Sequence, residues 1–200
     1  MSTILNLLRH GTTAANLEKR FAGRTDEPLH ADGAKQIQTV ADGLRDARIT
    51  AIYSGPLRRT RQTAEILHAR LAAPVHVAAA FNEIAIPHWD GLSKTEIRAR
   101  FGPEYPTWLA RPADFHCPGC ETLAMVRDRA VAGVTRILEN HPGERVVLVS
   151  HLIVLRCLVL HYLGRELEDF RKLTINNGEV TRITFDQQGR ATVTLADPPV

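Results

Sequence analysis

The chain has 200 residues, of which 44% are hydrophobic and 24% charged, and its formal net charge is +3. That length predicts one domain over residues 1–200, and the absence of a run in which Lys or Arg alternates with aromatic residues predicts no nucleic-acid partner. The chain opens without the pattern of a secretory signal, and the longest apolar stretch, at 152–160, is interrupted by Arg156 and is too short to span a bilayer, so we expect no membrane association and a cytoplasmic location.

The first predicted element is a strand at 4–8, whose almost continuous apolar sequence is typical of a strand covered on both faces in a parallel sheet. Arg9, His10 and Gly11 follow at its C-terminal end, which in an open α/β sheet is the end that binds ligands. The pattern then predicts a helix over 32–44, a strand over 49–53, a helix over 56–71 and a strand over 75–77.

Residues 81–121 have an irregular pattern with five prolines, and we expect one short helix there, over 93–100. The pattern next predicts a helix over 122–139, a strand over 146–149, a helix over 152–163, a closing hairpin of strands 180–185 and 191–195, and a frayed tail at 197–200. The alternation of strands and helices favours an α/β layer fold.

Three of the predicted strands end beside groups that suit a phosphate. The first strand ends at Arg9 and His10, the second leads through a Ser-Gly-Pro turn into the helix that carries Arg59, and the strand at 146–149 ends at Ser150 and His151. If these strands are parallel neighbours, their carboxyl ends place two imidazoles and two guanidiniums in one crevice. Guanidinium groups match phosphate oxygens, and an imidazole with a pKa of about 6.5 offers a neutral nucleophile near pH 7.

Arg59 is one of three arginines in the first turn of its predicted helix. Cations are disfavoured at that positive end of a helix, by roughly 0.3–1 kcal/mol each, unless an anion binds there. Arg59 lies on the flank that a bound phosphate would reach, whereas we expect Arg58 and Arg61 to be solvated surface residues.

A phosphomonoester also needs a proton for its leaving alkoxide. Glu83 is the first candidate donor, because its apolar neighbours Phe81, Ile84 and Ile86 would raise a carboxyl pKa by desolvation. The spacing alone favours this role no more than that of a solvated loop glutamate. Asp90 is the second candidate.

The three cysteines do not form a disulfide framework, which fits a reducing compartment. Cys117 and Cys120, with His116 beside them, stand in a proline-rich loop, and no second ligand cluster with zinc spacing follows. We therefore expect an ordinary loop there. With no phosphate-cradling glycine loop and no acidic cluster for magnesium, the sequence predicts phosphoryl chemistry without a metal or another cofactor.

Taken together, the residues resemble the signature of the histidine phosphatase superfamily, in the branch that includes the cofactor-dependent phosphoglycerate mutases. The similar blocks are 8–12 with Asn16, 21–33, 54–64, 82–84 followed by 89–91, 118–122 and 149–151. They cover nearly the whole chain in the family's order. The resemblance implies an α/β fold, a three-layer α/β/α sandwich with a mostly parallel central sheet of the phosphoglycerate mutase type.

The resemblance also implies roles for individual residues. It makes His10 the phosphohistidine nucleophile, Glu83 the proton donor and His151 the third catalytic group. Arg9, Arg59 and Asn16 would bind the phosphate of a small-molecule phosphate ester. This chain departs from the family at Cys120, His88, Leu152 and Ile153, which stand where glycine is common; bulky side chains there either narrow the pocket or only repack the helix start.

The compact stretch at 89–93 is similar to the phosphatase members of the family. We therefore expect hydrolysis of phosphomonoesters, as by α-ribazole phosphatases or broad-specificity phosphatases. The alternatives are a cofactor-dependent phosphoglycerate mutase and a non-catalytic module that binds a phosphorylated ligand. The sequence predicts neither the physiological substrate nor an oligomeric state.

Overall fold

A computed structural model of the chain describes residues 1–195, and the predicted tail at 197–200 lies outside them. The strands are β1 (Thr3–Arg9), β2 (Ala51–Ser54), β3 (Val75–Val77), β4 (Arg145–Ser150), β5 (Val180–Phe185) and β6 (Ala191–Thr194). They form one six-stranded sheet in the order β3-β2-β4-β1-β5-β6.

The four strands β3, β2, β4 and β1 run parallel, and β5 and β6 continue the sheet in antiparallel fashion. In the register, Arg9 lies beside Ser150, while Val149 lies beside both Leu8 and Ser54. The three strands that end in polar groups are therefore parallel neighbours whose carboxyl ends meet at one edge, as the sequence predicted. The closing hairpin of β5 and β6 is confirmed as well.

Helices cover both faces of the sheet. They are α1 (Ala14–Leu17), α2 (Ala31–Gly43), α3 (Arg58–Leu71), α4 (Lys94–Arg100), α5 (Glu104–Ala110), α6 (Leu123–Asn140) and α7 (Leu152–Tyr162). On one face, Ile37 of α2 and Leu67 of α3 pack with Leu8 of β1. On the other face, α6 and α7 pack against alternate residues of the same strands, such as Leu7. The predicted three-layer α/β/α arrangement is thus confirmed. None of the helices within residues 1–195 combines the length and hydropathy that a membrane span requires.

The segment between β3 and α6, residues 78–122, forms a cap over the carboxyl edge of the sheet. The sequence predicted one helix in it, and the structure has a second, α5, because Pro103 precedes this helix and Pro106 lies in its first turn, where a missing N–H costs nothing. The cap contributes a group of aromatic rings to the hydrophobic core on one face of the sheet. The ring of Trp89 is fully buried, and its centroid lies 5.9 Å from that of Tyr105, 6.1 Å from that of Trp108 and 5.0 Å from that of Phe115.

Candidate active site

His10 lies at the carboxyl end of β1 and is only 4% exposed. Its Nδ1 is 2.8 Å from the carbonyl oxygen of Gly11, which can only accept a hydrogen bond, so Nδ1 carries the proton and Nε2 keeps a free lone pair. Burial, together with the positive charges of Arg59 and Arg9, lowers the pKa of His10 well below its usual value. The ring is therefore neutral at pH 7, in the form that can attack phosphorus.

His151 follows β4 and is fully buried beside His10, with 5.2 Å between the ring centroids in an edge-on arrangement. Burial lowers its pKa well below the usual value, as do the charges of Arg59 and His10. Neither ring nitrogen has a hydrogen-bond partner within residues 1–195. Gly55 makes room for this ring, because a Cβ there would lie 3.3 Å from Nε2 of His151. One nitrogen of this neutral ring is therefore free to donate to a bound oxyanion.

Arg59 and Arg9 reach the same crevice from α3 and β1. Arg59 is 1% exposed, and its two terminal nitrogens each donate a 2.7 Å hydrogen bond, to the carbonyls of Thr25 and Gly23. Arg9 donates in the same way to the carbonyl of Ile175 at 2.8 Å. Burial lowers the pKa of Arg59 and lowers that of Arg9 to about 10, so both stay charged at pH 7. Because carbonyls fix the two guanidiniums without neutralising them, their charge remains available to an anion.

The other two arginines of this turn, Arg58 and Arg61, are exposed, as the sequence predicted. The turn also has an acidic neighbour that the sequence did not indicate. The carboxylate of Asp26 accepts a 2.6 Å hydrogen bond from the backbone N–H of Arg58 and so caps α3.

Asn16 lines the crevice through an amide group that a second asparagine orients. Its Oδ1 accepts hydrogen bonds from Nδ2 of Asn177 at 3.0 Å and from the N–H of Thr13 at 3.2 Å, so its own NH₂ is left to serve the pocket. Asn177 also donates to the carbonyl of His10 at 2.9 Å. The sequence did not predict Asn177, because the Asn-Asn-Gly stretch at 176–178 indicates a turn and nothing more.

Glu83 is buried, at 8% exposure, so it is not a solvated loop glutamate. Its Oε1 accepts a 2.8 Å hydrogen bond from the N–H of Ile84, and its backbone carbonyl accepts hydrogen bonds from Arg24 at 3.0 Å and Arg129 at 3.2 Å. Burial raises the pKa of its carboxyl group, against the opposing charge of Arg59. The clamped backbone thus presents a carboxyl group that can keep a proton closer to neutral pH.

Asp90, the second candidate for the acid, is outside the pocket lining. Oδ2 of Asp90 accepts a hydrogen bond from the backbone N–H of Arg24 at 3.2 Å. Gly23 packs closely against the same carboxylate, because a Cβ added to Gly23 would collide with Oδ1 of Asp90. Asp90 therefore supports the loop that holds Arg59.

Five of the six residues that the sequence proposed for the site line one pocket of about 320 Å³: Arg9, His10, Asn16, Arg59 and Glu83. The sixth, His151, is fully buried behind that lining, against the ring of His10. Apolar side chains form the pocket wall: Phe21, Ile97, Tyr105, Trp108, Leu152, Ile153 and Phe170. Two of them, Leu152 and Ile153, replace the glycines common in the family. Their side chains face the pocket, so they narrow it.

The other two departures from the family, His88 and Cys120, meet each other away from the pocket. Nδ1 of His88 lies 3.8 Å from Sγ of Cys120, and its Nε2 lies 2.6 Å from the carboxylate of Glu104. A disulfide joins Cys120 to Cys117, which the cysteine count did not predict: a local pair can close while the third cysteine, Cys157, stays buried in the core. Within residues 1–195, His88 and this cysteine pair are the one set of side chains grouped like metal ligands, and the set lies outside the pocket lining.

Comparison with known proteins gives four consistent matches. The family model of the histidine phosphatase superfamily (branch 1) matches residues 5–198. A probable phosphoglycerate mutase, GpmB of Salmonella choleraesuis, is 33% identical over 185 residues, covering 90% of this chain and 84% of the relative. Among solved structures, YhfR of Bacillus stearothermophilus superposes with a TM-score of 0.92 at 29% identity and covers 96% of each chain. A phosphoserine phosphatase of Entamoeba histolytica, in complex with phosphoserine, gives 0.84 at 25% identity, covering 96% of this chain and 95% of that one.

Proposed function

This chain belongs to the histidine phosphatase superfamily and is a phosphomonoesterase; we propose that it hydrolyses small-molecule phosphomonoesters without a metal ion, through a phosphohistidine formed on His10. The observation that carries the proposal is the pair of neutral imidazoles, His10 and His151, beside two arginines that backbone carbonyls hold in place. A pocket of about 320 Å³ suits a small molecule, since ligand pockets span roughly 300–1,000 Å³.

In the first half of the proposed reaction, the two pocket arginines and the amide of Asn16 bind the phosphate. Nε2 of His10 attacks phosphorus, a P–N bond forms, and the P–O bond to the alcohol breaks. Glu83 gives its proton to the departing oxygen. His151 donates a hydrogen bond to the phosphoryl oxygens, where negative charge is concentrated in the transition state.

In the second half, water replaces the alcohol. The Glu83 carboxylate, now without its proton, takes one from the water as that water attacks phosphorus. The P–N bond breaks, phosphate leaves, and His10 returns to its neutral form. Throughout, Nδ1–H of His10 donates to the Gly11 carbonyl, which stabilises the positive charge on the phosphorylated ring.

Turnover of an aryl phosphate in an excess of chelator tests this proposal. We expect full activity in the chelator, an acid-labile phosphoenzyme after rapid quenching with labelled substrate, and loss of both in His10→Ala. His161→Ala is the matched control, because His161 is exposed on α7 and outside the pocket. Full activity of His10→Ala, or activity that chelation abolishes, would refute the mechanism.

The names of the GpmB relatives support a second candidate, a phosphoglycerate mutase. A mutase returns the phosphoryl group of His10 to a second hydroxyl group, where a phosphatase passes it to water. Incubation with 3-phosphoglycerate separates the two, and we expect phosphate release to exceed isomerisation. Faster isomerisation would replace the phosphatase proposal.

A non-catalytic binding module is the third candidate from the sequence. The buried acid Glu83 argues against it, because a protein that only binds a phosphate has no use for a proton donor. Tight binding of vanadate with no turnover across a panel of phosphorylated metabolites would support it.

A further inference from the structure

The pocket holds more positive charge than one phosphate needs. Besides Arg9 and Arg59, five cationic side chains line it: Lys19, Arg20, Lys94, Arg156 and Arg171. Glu83 is the acidic side chain in that lining. Of the five, Arg20 is paired, with Glu18 at 2.9 Å and Glu96 at 3.0 Å. The remaining charges point to a ligand with more than one anionic group.

Arg156 is the strongest indication of a second anionic group on the ligand. It lies on α7 above the wall residue Phe170, with its guanidinium carbon 5.1 Å from the ring centroid. Its Nε is buried, and no hydrogen bond or ion pair joins Arg156 to another side chain or carbonyl within residues 1–195. Buried guanidinium groups normally donate hydrogen bonds. Nε is unpartnered in Arg9 and Arg59 too, but their terminal nitrogens donate to carbonyls. The half-buried Arg156 has no such bond within residues 1–195, so its donors are left for a ligand.

Arg171 supplies a second charge to the same part of the pocket. It lies on the short 3₁₀ helix Leu167–Lys172, next to Phe170, and has no ion pair within the described part of the chain. The following residue, Lys172, forms a 2.6 Å ion pair with Asp169 on the same turn, whereas Arg171 is left free. Arg156 and Arg171 repel each other, since the charge of Arg171 is one cause of the lowered pKa of Arg156, after burial. An anion between the two guanidiniums would relieve that repulsion.

The pocket wall indicates what kind of body joins the phosphate to the second anionic group of the ligand. Tyr105, Trp108 and Phe170 line the pocket, as do Leu152 and Ile153 of α7, the helix that carries Arg156. An apolar body would be desolvated favourably against these side chains.

We propose that Arg156 and Arg171 form a second anion subsite, and that the substrate is a phosphomonoester with an apolar body and a second anionic group, a carboxylate or a second phosphate. That the substrate is a phosphomonoester rests on the proposed phosphatase function. The alternative is that Arg156 binds the same phosphate as Arg9 and Arg59. In the proposed role, Arg156 makes the protein prefer a ligand with a second anionic group, whereas in the alternative role it gives no such preference.

A matched pair of probes tests the subsite: 3-carboxyphenyl phosphate and its neutral isostere, 3-carbamoylphenyl phosphate. Affinities are measured by calorimetry on the His10→Ala protein, so that turnover does not interfere. We expect the carboxylate probe to bind at least about tenfold more tightly, because hydrogen bonds to a charged group are among the stronger ones. Adding Arg156→Gln should remove that preference. Arg165→Gln, which removes an exposed arginine outside the pocket, should retain it.

Equal affinity for the two probes, or binding of neither, overturns the inference. So does an Arg156→Gln variant in which both affinities fall by the same factor, because Arg156 would then act on the phosphate. A third probe, 1,3-phenylene bisphosphate, separates the two sources of the second anion by its affinity relative to the carboxylate probe. Turnover of the probes by the unmodified protein reports separately on the phosphatase: preference without turnover refutes the proposed function alone, and turnover without preference refutes the subsite alone.

Discussion

Replacing Gly33 by alanine tests how the fold holds the His10 loop in place. Gly33 lies in the first turn of α2 and packs against the backbone that follows His10. A Cβ at this position would lie 2.1 Å from the carbonyl oxygen of Thr12 and 2.7 Å from its nitrogen, and ordinary contact begins at 3.4 Å. The contact is reciprocal, since a Cβ on Gly11 would lie 2.7 Å from the carbonyl oxygen of Gly33.

The shortfall at the Thr12 oxygen is 1.3 Å, and it lies between two backbone segments, which cannot rotate away as a flexible side chain can. We expect the Gly33→Ala loop to move by about 1 Å, and a shift of that size in a catalytic group lowers kcat by on the order of 100-fold. Strain of this kind costs about 1–3 kcal/mol of unfolding free energy. The measurements are kcat on an aryl phosphate and the urea unfolding curve.

Gly43→Ala is the matched control, because Gly43 ends the same helix and an added Cβ there meets nothing within 4 Å. Alanine should leave kcat unchanged there and raise stability by up to about 1 kcal/mol through helix propensity. Wild-type kcat and stability in Gly33→Ala would refute the reasoning outright. A loss of stability with unchanged kcat would show that the close contact holds α2 but does not position His10.

Three further predictions concern the acid, the histidines and a helix cap. Glu83→Gln should lower kcat on an alkyl phosphate by about 10²–10⁴-fold and far less on 4-nitrophenyl phosphate, whose leaving group needs no proton; equal losses would contradict the role of Glu83. Glu83 is protonated below its raised pKa and loses its proton above it. The kcat of the wild type on the alkyl substrate should therefore fall as the pH rises through that pKa, and Glu83→Gln should not show this fall. Because folding lowers the pKa of His10 and His151 below 6.5, the unfolded chain takes up protons first on acidification. Stability should thus be full above about pH 6.5 and fall towards the folded pKa values, and a urea midpoint that stays constant from pH 8 to pH 5 would contradict this. Asp26→Ala should cost about 1 kcal/mol in urea unfolding through loss of the α3 cap, and Asp26→Asn less; equal effects of the two would refute capping.

The sequence predicted the phosphate end of the pocket because its signals are local. Each strand is an apolar run that ends in polar residues, and the parallel arrangement brings those ends together. Arg9, His10 and His151 follow from that rule alone. Arg59 follows from its position on the flank of the next helix, and the burial of Glu83 fits its apolar neighbours. Sequence spacing could not give the roles of these residues, which stay proposals.

Other features depend on contacts between distant parts of the chain. Asn177 is 167 positions from the carbonyl of His10 that it binds, and its own neighbours indicate a turn. In the sequence, Arg156 is only a charge that interrupts an apolar stretch. Its place in the pocket is seen only in the fold, where α7 brings its guanidinium over the ring of Phe170. The helix α5 was hidden by its prolines, which are damaging inside a helix and harmless in its first turn.

The aromatic group around Trp89 has a consequence for how this fold diversifies. Trp89 anchors the cap through its rings and through an indole N–H that donates to Glu104 at 3.0 Å, while the hydroxyl group of Ser150 ties the cap to the sheet at the Phe81 carbonyl, 2.9 Å away. Substitutions around Trp89 therefore reshape the surface offered to the alcohol half of a substrate without moving the strand ends. The two histidines at the strand ends and the aromatic residues of the cap therefore lie in different stretches of the gene, while the proposed acid, Glu83, belongs to the start of the cap. One hydrolytic centre can accordingly be inherited unchanged by descendants that act on unrelated metabolites.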